Sequence, residues 1–71
     1  MEKSAITEFF LDFFEKNEIK IEWISEKTGI PREKLIRGYK RPLNADEFLR
    51  LCALFEIEPE EVLIIIKLHY E

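Results

Sequence analysis

The cationic side chains of this chain are concentrated in one short segment, residues 31–41. Five of its residues are Lys or Arg and one is an acid, Glu33, so the segment carries +4 in a chain of net charge −4. The other residues therefore sum to −8. Closely spaced cations can neutralise nucleic-acid phosphates, and a guanidinium group can also bond to the edge of a base. The segment predicts a local patch for nucleic acid, with an ordinary solvated helix face as the alternative.

Catalytic and metal-binding chemistry has little support in the sequence. The chain contains one histidine, His69, and one cysteine, Cys52, which fall on different predicted elements. The sequence has no glycine-rich phosphate loop, no recognisable acid–base pair and no metal-ligand spacing. We therefore expect no enzyme activity, no cofactor and no metal. Cys52 lies on an apolar stripe, which predicts a buried, reduced thiol rather than a reactive one.

The composition predicts one small all-α domain that covers residues 1–71. The chain is 46% hydrophobic and 37% charged, and it has only two glycines and three prolines, so little of it can form loops. The first residues, MEKSAITE, do not form a signal peptide, and no apolar run approaches the ~20 residues that span a bilayer. We therefore expect a cytoplasmic protein that does not enter a membrane.

Residues 21–38 have the pattern of two short helices around a tight turn. The apolar residues of the first helix, about 21–28, share one face. Gly29 ends this helix because glycine enters the left-handed conformation without a Cβ clash. Pro31 suits the first position of the second helix, which should end near Arg37 or Gly38. Two helices this short predict a helix-turn-helix unit that needs flanking helices to complete its core.

Three further helices should flank this unit. Ser4 suits the N-cap of a first helix over residues 5–16. Asn44 and Glu47 form a capping-box variant at the start of the fourth helix, and Pro59 begins the fifth. The predicted inward stripes of the first and fourth helices are Ile6, Phe9, Phe10, Phe13 and Phe14, and Phe48, Leu51, Cys52 and Phe55.

Two stretches resemble one known family. Residues 24–31, ISEKTGIP, resemble the leucine-alanine-x-x-x-glycine-valine-serine signature of the XRE (lambda-repressor-like) helix-turn-helix family. Residues 42–63 are similar to the fourth and fifth helices of that family, so the resemblance covers about residues 5–63. It implies a compact five-helix lambda-repressor-like domain and sequence-specific binding of double-stranded DNA by a transcriptional regulator.

By this resemblance, the third helix reads bases in the DNA major groove. Arg32 or Arg37 would bond to guanine, and Glu33 would accept a hydrogen bond from cytosine. Ile36 would pack on a thymine methyl group. The residues that would contact phosphates without reading sequence are Lys34, Lys40 and Arg41.

Three of the departures from the family pattern bear on DNA binding. Ile21 replaces a glutamine that contacts phosphate in many family members, so that contact does not carry over. Gly38 replaces an inward apolar anchor, and Tyr39 could fold back in its place. Ile36 is apolar at an exposed position. If the third helix were rotated, Ile36 would face the core and the base contacts would shift by one residue.

The apolar extension over residues 64–71 has more hydrophobic surface than one small core can use. We therefore predict a homodimer whose contact involves Ile64 to Tyr70. Two alternatives are that the isoleucines cap the monomer's own core beside the first helix, or that this β-branched run forms a short strand. Trp23 either folds over the first helix or lies in a partner surface.

The rival function is that of a protein-interaction module with the same fold. It would use the apolar extension, Trp23 and the acidic surface, and the basic segment would be incidental, because a fold does not determine a function. Salt separates the two functions, since phosphate-driven binding weakens steeply as salt rises.

Overall fold

The structure, a computed structural model, describes residues 4–70 as four α-helices joined by short connections. The helices are α1 (Ala5–Lys16), α2 (Ile21–Thr28), α3 (Ala45–Phe55) and α4 (Pro59–His69), and a 3-10 turn, Arg32–Lys34, lies between α2 and α3. No strand occurs within residues 4–70. The all-α prediction is confirmed. The prediction of a five-helix domain is wrong, because the expected third helix does not form.

Local capping interactions set the helix boundaries as the sequence predicted. Ser4 caps α1, since its hydroxyl oxygen accepts a hydrogen bond from the backbone N–H of Thr7 at 3.2 Å. At the start of α3, Asn44 accepts from the N–H of Glu47 at 2.8 Å, and the Glu47 carboxylate accepts from the N–H of Asn44 at 2.9 Å. Gly29 ends α2 with a φ of 78°. These helix starts and this helix end are confirmed.

The segment expected to form the recognition helix is mostly irregular. Only Arg32–Lys34 adopts a helical turn, and that turn is of the 3-10 type. Pro31 has a ψ of 139°, so it belongs to extended backbone rather than to the first turn of an α-helix. Gly38 has a φ of 83°, which an α-helix cannot contain. The six residues between them amount to less than two α-helical turns.

Leu35 attaches this segment to the core. It is 1% exposed, whereas Ile36 is 48% exposed. The alternative in which a rotated helix turns Ile36 into the core is therefore wrong. Tyr39 folds back against the core as suggested, and its hydroxyl oxygen accepts a hydrogen bond from the N–H of Ser4 at 3.0 Å.

Aromatic side chains from α1 and α3 form the centre of the core. The buried rings of Phe10 and Phe48 meet edge to face with centroids 6.0 Å apart, a favourable aromatic geometry. Cys52 is 2% exposed, so the prediction of a buried thiol is confirmed. Burial, and to a smaller extent the charge of Glu58, raises the pKa of that thiol. The buried apolar residues are Phe10, Leu11, Phe14, Ile24, Ile30, Leu35, Leu43, Phe48, Leu51, Cys52, Val62 and Ile66.

The predicted C-terminal extension continues α4 as far as His69. The alternative that its isoleucines form a strand is wrong. Glu71, the last residue of the predicted extension, lies outside the described residues. None of the described helices is long and apolar enough to cross a bilayer.

Candidate interaction surfaces

One side of α4 is apolar and exposed although the opposite side is buried. Val62 and Ile66 face the core and are 0% and 6% exposed. Helical geometry places Ile64 and Leu68 on the opposite side of the helix and Ile65 at the edge of that side. These three side chains, which we define as the outer face of α4, are 59%, 38% and 71% exposed. A small helix therefore presents a second apolar surface that the monomer does not cover.

Tyr70, the last residue of the predicted dimer contact, packs within the monomer instead. The ring of Tyr70 lies against Phe9, with centroids 6.2 Å apart. The Tyr70 hydroxyl donates a hydrogen bond to Asp12 of α1. Burial, followed by this bond, raises the pKa of Tyr70 to about 12. Within the region Ile64 to Tyr70, the outer face of α4 is therefore the exposed apolar surface.

Trp23 takes a position between the two alternatives considered for it. Its indole centroid lies 6.3 Å from the ring of Phe55, so it rests beside α3 rather than directly over α1. It is still 43% exposed. Trp23 therefore adds a half-covered aromatic surface beside the end of α3.

Arg37 is surrounded by three carboxylates of α1, which we define as the acidic clamp. Its Nε donates to Glu15 Oε1 at 2.8 Å, its Nη1 to Glu8 Oε1 at 2.8 Å and its Nη2 to Asp12 Oδ1 at 2.5 Å. The three acids occupy positions i, i+4 and i+7 and therefore share one helix face. The hydrogen bond to Glu15, followed by that to Asp12, raises the pKa of Arg37.

Hydrogen bonds to the clamp also change the pKa of Asp12. The bond from the Tyr70 hydroxyl, followed by the bond from Arg37, holds the pKa of the Asp12 carboxyl below its usual value. Asp12 thereby connects the C-terminal end of α4 with segment 31–41. The clamp contains three negative charges against one guanidinium, so the surface around Arg37 keeps an excess of negative charge.

Lys34 forms the second ion pair of segment 31–41. Its Nζ lies 2.8 Å from Glu47 Oε1, and the two side chains are only 14% and 11% exposed. Burial raises the pKa of Glu47, but the hydrogen bonds from Lys34 and from the Asn44 backbone outweigh it, so the pKa lies below its usual value. Lys34 and Arg37 together attach the irregular segment to α3 and α1.

The seven residues predicted to contact DNA therefore fall into two groups. Lys34 and Arg37 are engaged in ion pairs within the monomer. Their predicted contacts to phosphate and guanine stay predictions, and each contact would require an existing ion pair to break. The exposed members, which have no ion pair among residues 4–70, are Arg32, Glu33, Ile36, Lys40 and Arg41.

A cavity of about 320 Å³ lies along the same segment. Pro31, Ile36 and Tyr39 supply its apolar lining, and Lys40 and Arg41 border it with their cationic side chains. A Cβ added at the neighbouring Gly38 would meet no atom within 4 Å, which shows how open this part of the surface is. The remaining lining residues are Glu33, Lys34 and Gly38 itself.

The sequence analysis missed the acidic clamp. Its signal is present in the spacing of Glu8, Asp12 and Glu15, which marks an acidic stripe on α1, but no local pattern indicates that Arg37 lies against it. The part of the chain that the structure describes contains no group of three or more His, Cys, Asp or Glu residues that could hold a metal ion. Comparisons with protein families, curated proteins and solved structures found no match to this chain.

Proposed function

We propose that this chain is a protein-interaction module that binds through the outer face of α4. The observation that carries the proposal is the presence of two apolar sides on one helix. Val62 and Ile66 are buried, whereas the three large side chains of the outer face are exposed. Contiguous exposed apolar surface on a small domain marks a contact with another molecule. The module acts by binding, without catalysis or a cofactor, and in the cytoplasm.

The partner in this proposal is a second copy of the chain. The first turn of α4 carries Glu60 and Glu61, and its last turn carries Lys67. If two α4 helices pair antiparallel across a two-fold axis, the acidic turn of each copy lies near the basic turn of the other. Opposite charges then flank an apolar centre made of Ile64, Ile65 and Leu68. This complementarity of the helix with itself supports the homodimer.

Sedimentation of a double variant tests the homodimer. Ile64→Glu with Leu68→Glu places two charges in the contact and should convert a dimer into a monomer. Both residues are exposed, so the monomer should still fold. Leu49→Glu is the matched control, since Leu49 is 52% exposed on α3 and should leave the dimer intact. A monomeric parent at about 50 μM, or a dimer that persists in the double variant, would contradict the proposal.

Double-stranded DNA binding by a transcriptional regulator is the second candidate function. It is supported by the α2–Gly29 turn, which is followed by the exposed cations Arg32, Lys40 and Arg41. In the absence of a recognition helix these cations would contact mainly phosphates. Glu33 and Ile36 remain the exposed candidates for base contacts.

Selection of bound duplexes from a random DNA pool tests this second candidate. A regulator should enrich a consensus, whereas phosphate contacts alone should enrich none. The three exposed cations of each copy predict a slope of log K against log salt of about −0.9 per phosphate contacted, or roughly −5 for a dimer. If no duplex is retained at about 50 mM salt, the DNA-binding candidate is contradicted and the interaction module is the function that stands.

A further inference from the structure

The irregular segment 31–41 is attached to the domain at three successive points. Leu35 is buried in the core, Lys34 is paired with Glu47, and Arg37 is held by the acidic clamp. A loop with little regular secondary structure would otherwise lose much conformational freedom when a ligand binds. Because these contacts have already ordered the segment, that cost is reduced.

The ordered segment surrounds a cavity with a distinct chemical character. The cavity, of about 320 Å³, has an apolar lining in which Ile36 is 48% exposed. Lys40 and Arg41 lie at its border with no ion pair among the described residues. Glu33 is the one acid in the lining, and the charge of Lys34 is already balanced by Glu47.

We propose that this cavity binds a short acidic peptide that carries an apolar side chain. The apolar side chain occupies the cavity against Ile36 and Tyr39, and the flanking carboxylates pair with Lys40 and Arg41. A cavity of this volume is at the small end of ligand sites, which suits one or two side chains rather than a whole folded partner. The site is separate from the outer face of α4 and does not depend on the homodimer.

The charges around the segment favour a short peptide over duplex DNA. The apolar lining offers nothing to a phosphate, whereas it gains from covering a leucine-sized side chain. The acidic clamp leaves excess negative charge beside the segment, because three carboxylates surround one guanidinium. A rod of phosphates that extends past the two border cations would meet this repulsion, and a short peptide would not.

Fluorescence anisotropy with three labelled peptides tests the proposal. The probe is acetyl-Glu-Glu-Leu-Leu-Glu-Glu-amide, and its two controls replace either the glutamates by glutamine or the leucines by serine. We expect saturable binding of the probe and at least about tenfold weaker binding of each control, because both the cavity and the cations contribute.

Variants of the protein locate the site. Ile36→Ser should weaken binding of the probe by about tenfold or more, and so should the double variant Lys40→Glu with Arg41→Glu. All three residues are exposed, so the fold should persist. The matched charge reversal Lys16→Glu with Lys27→Glu, at exposed positions away from the cavity, should retain the parent affinity.

Further measurements separate this site from the other proposals. The Ile64→Glu, Leu68→Glu variant should bind the probe like the parent, whether or not the parent is a dimer. A probe that does not saturate below about 1 mM, or a serine control that binds as tightly as the probe, would overturn the proposal. Displacement of the probe by a 20-base-pair duplex, with the same loss in the Lys40, Arg41 variant, would identify the segment as a DNA surface instead.

Discussion

The outer face of α4 and segment 31–41 are both exposed, but they differ in what the fold leaves free. In α4 a regular helix buries one side, and the three apolar residues of the outer face are 38% to 71% exposed. In segment 31–41 the fold has already used two of the five cations, because Lys34 and Arg37 pair with Glu47 and with α1. The charge of a sequence segment therefore overstates the charge that a ligand can meet.

Replacing one leucine in each region should give the largest contrast. Leu35→Ala removes a side chain that is 1% exposed and should lower the free energy of unfolding by about 2–5 kcal/mol. Leu68 is 71% exposed, so Leu68→Ala should change the unfolding of dilute protein by less than about 0.5 kcal/mol. Urea unfolding at low protein concentration measures both. Equal effects would show that segment 31–41 is not attached through Leu35.

Removing the Lys34–Glu47 pair should have the next largest effect. Glu47→Gln keeps a residue that can complete the capping box but leaves the ammonium group of Lys34, which is 14% exposed, without its carboxylate. We expect a loss of about 1–3 kcal/mol in the free energy of unfolding. Asp46→Asn on the same turn is the control, since Asp46 is exposed and its pair with Arg50 lies at the surface. If Glu47→Gln were as stable as Asp46→Asn, the Lys34–Glu47 pair would have no structural role.

Replacing a cation that is in an ion pair and one that is not should give a smaller difference in stability. Arg37→Gln leaves the acidic clamp without its cation, and because Arg37 is 46% exposed, solvent screening limits the loss to about 1 kcal/mol. Arg41→Gln should leave stability unchanged, because Arg41 has no ion pair among the described residues. Thermal unfolding of the two variants at the same salt concentration distinguishes them. An equal loss in both would mean that the clamp contributes no stability.

Acid should gradually weaken the contacts of Asp12, with Tyr70 and Arg37, and the contact of Glu47 with Lys34. The pKa values of Asp12 and Glu47 are lower in the folded protein than their usual values, which are about 3.9 and 4.3. The unfolded chain therefore binds more protons as the pH falls. The stabilisation is complete above about pH 5 and is lost as the pH falls through the folded pKa values. Urea midpoints between pH 7 and 3 should decline less in Asp12→Asn with Glu47→Gln than in the parent. A parallel decline would place the acid sensitivity in other groups.

Local signals were sufficient to predict most of the secondary structure. The helices over 5–16 and 21–28, the caps at Ser4 and Asn44, and the turn at Gly29 all appear as expected. Each depends on residues within one turn of one another, so each can be read along the chain. The buried position of Cys52 also followed from its place on an apolar stripe.

The third helix could not be predicted correctly because its signals were weak and its contacts are distant. Pro31 is compatible with either an extended residue or the start of a helix, and the structure selects the extended form. Arg37 pairs with residues 22 to 29 positions away. A helical pattern cannot represent contacts of that separation. In the sequence, a cation that pairs with the acidic clamp therefore looks identical to one without an ion-pair partner.

The sequence alone therefore determined the all-α class, the starts of the four α-helices, the caps at Ser4 and Asn44, the concentration of cations in residues 31–41 and the excess of apolar residues after position 63. Only the tertiary structure decided which of these cations lack an ion pair and which of these apolar side chains are exposed. It buries Ile66 and exposes Ile64. It pairs Arg37 with three carboxylates, whereas Arg41 has no ion pair among the described residues. The physical reason is that periodicity and capping act over a few residues. Burial and ion pairing instead depend on how helices distant in the chain pack together.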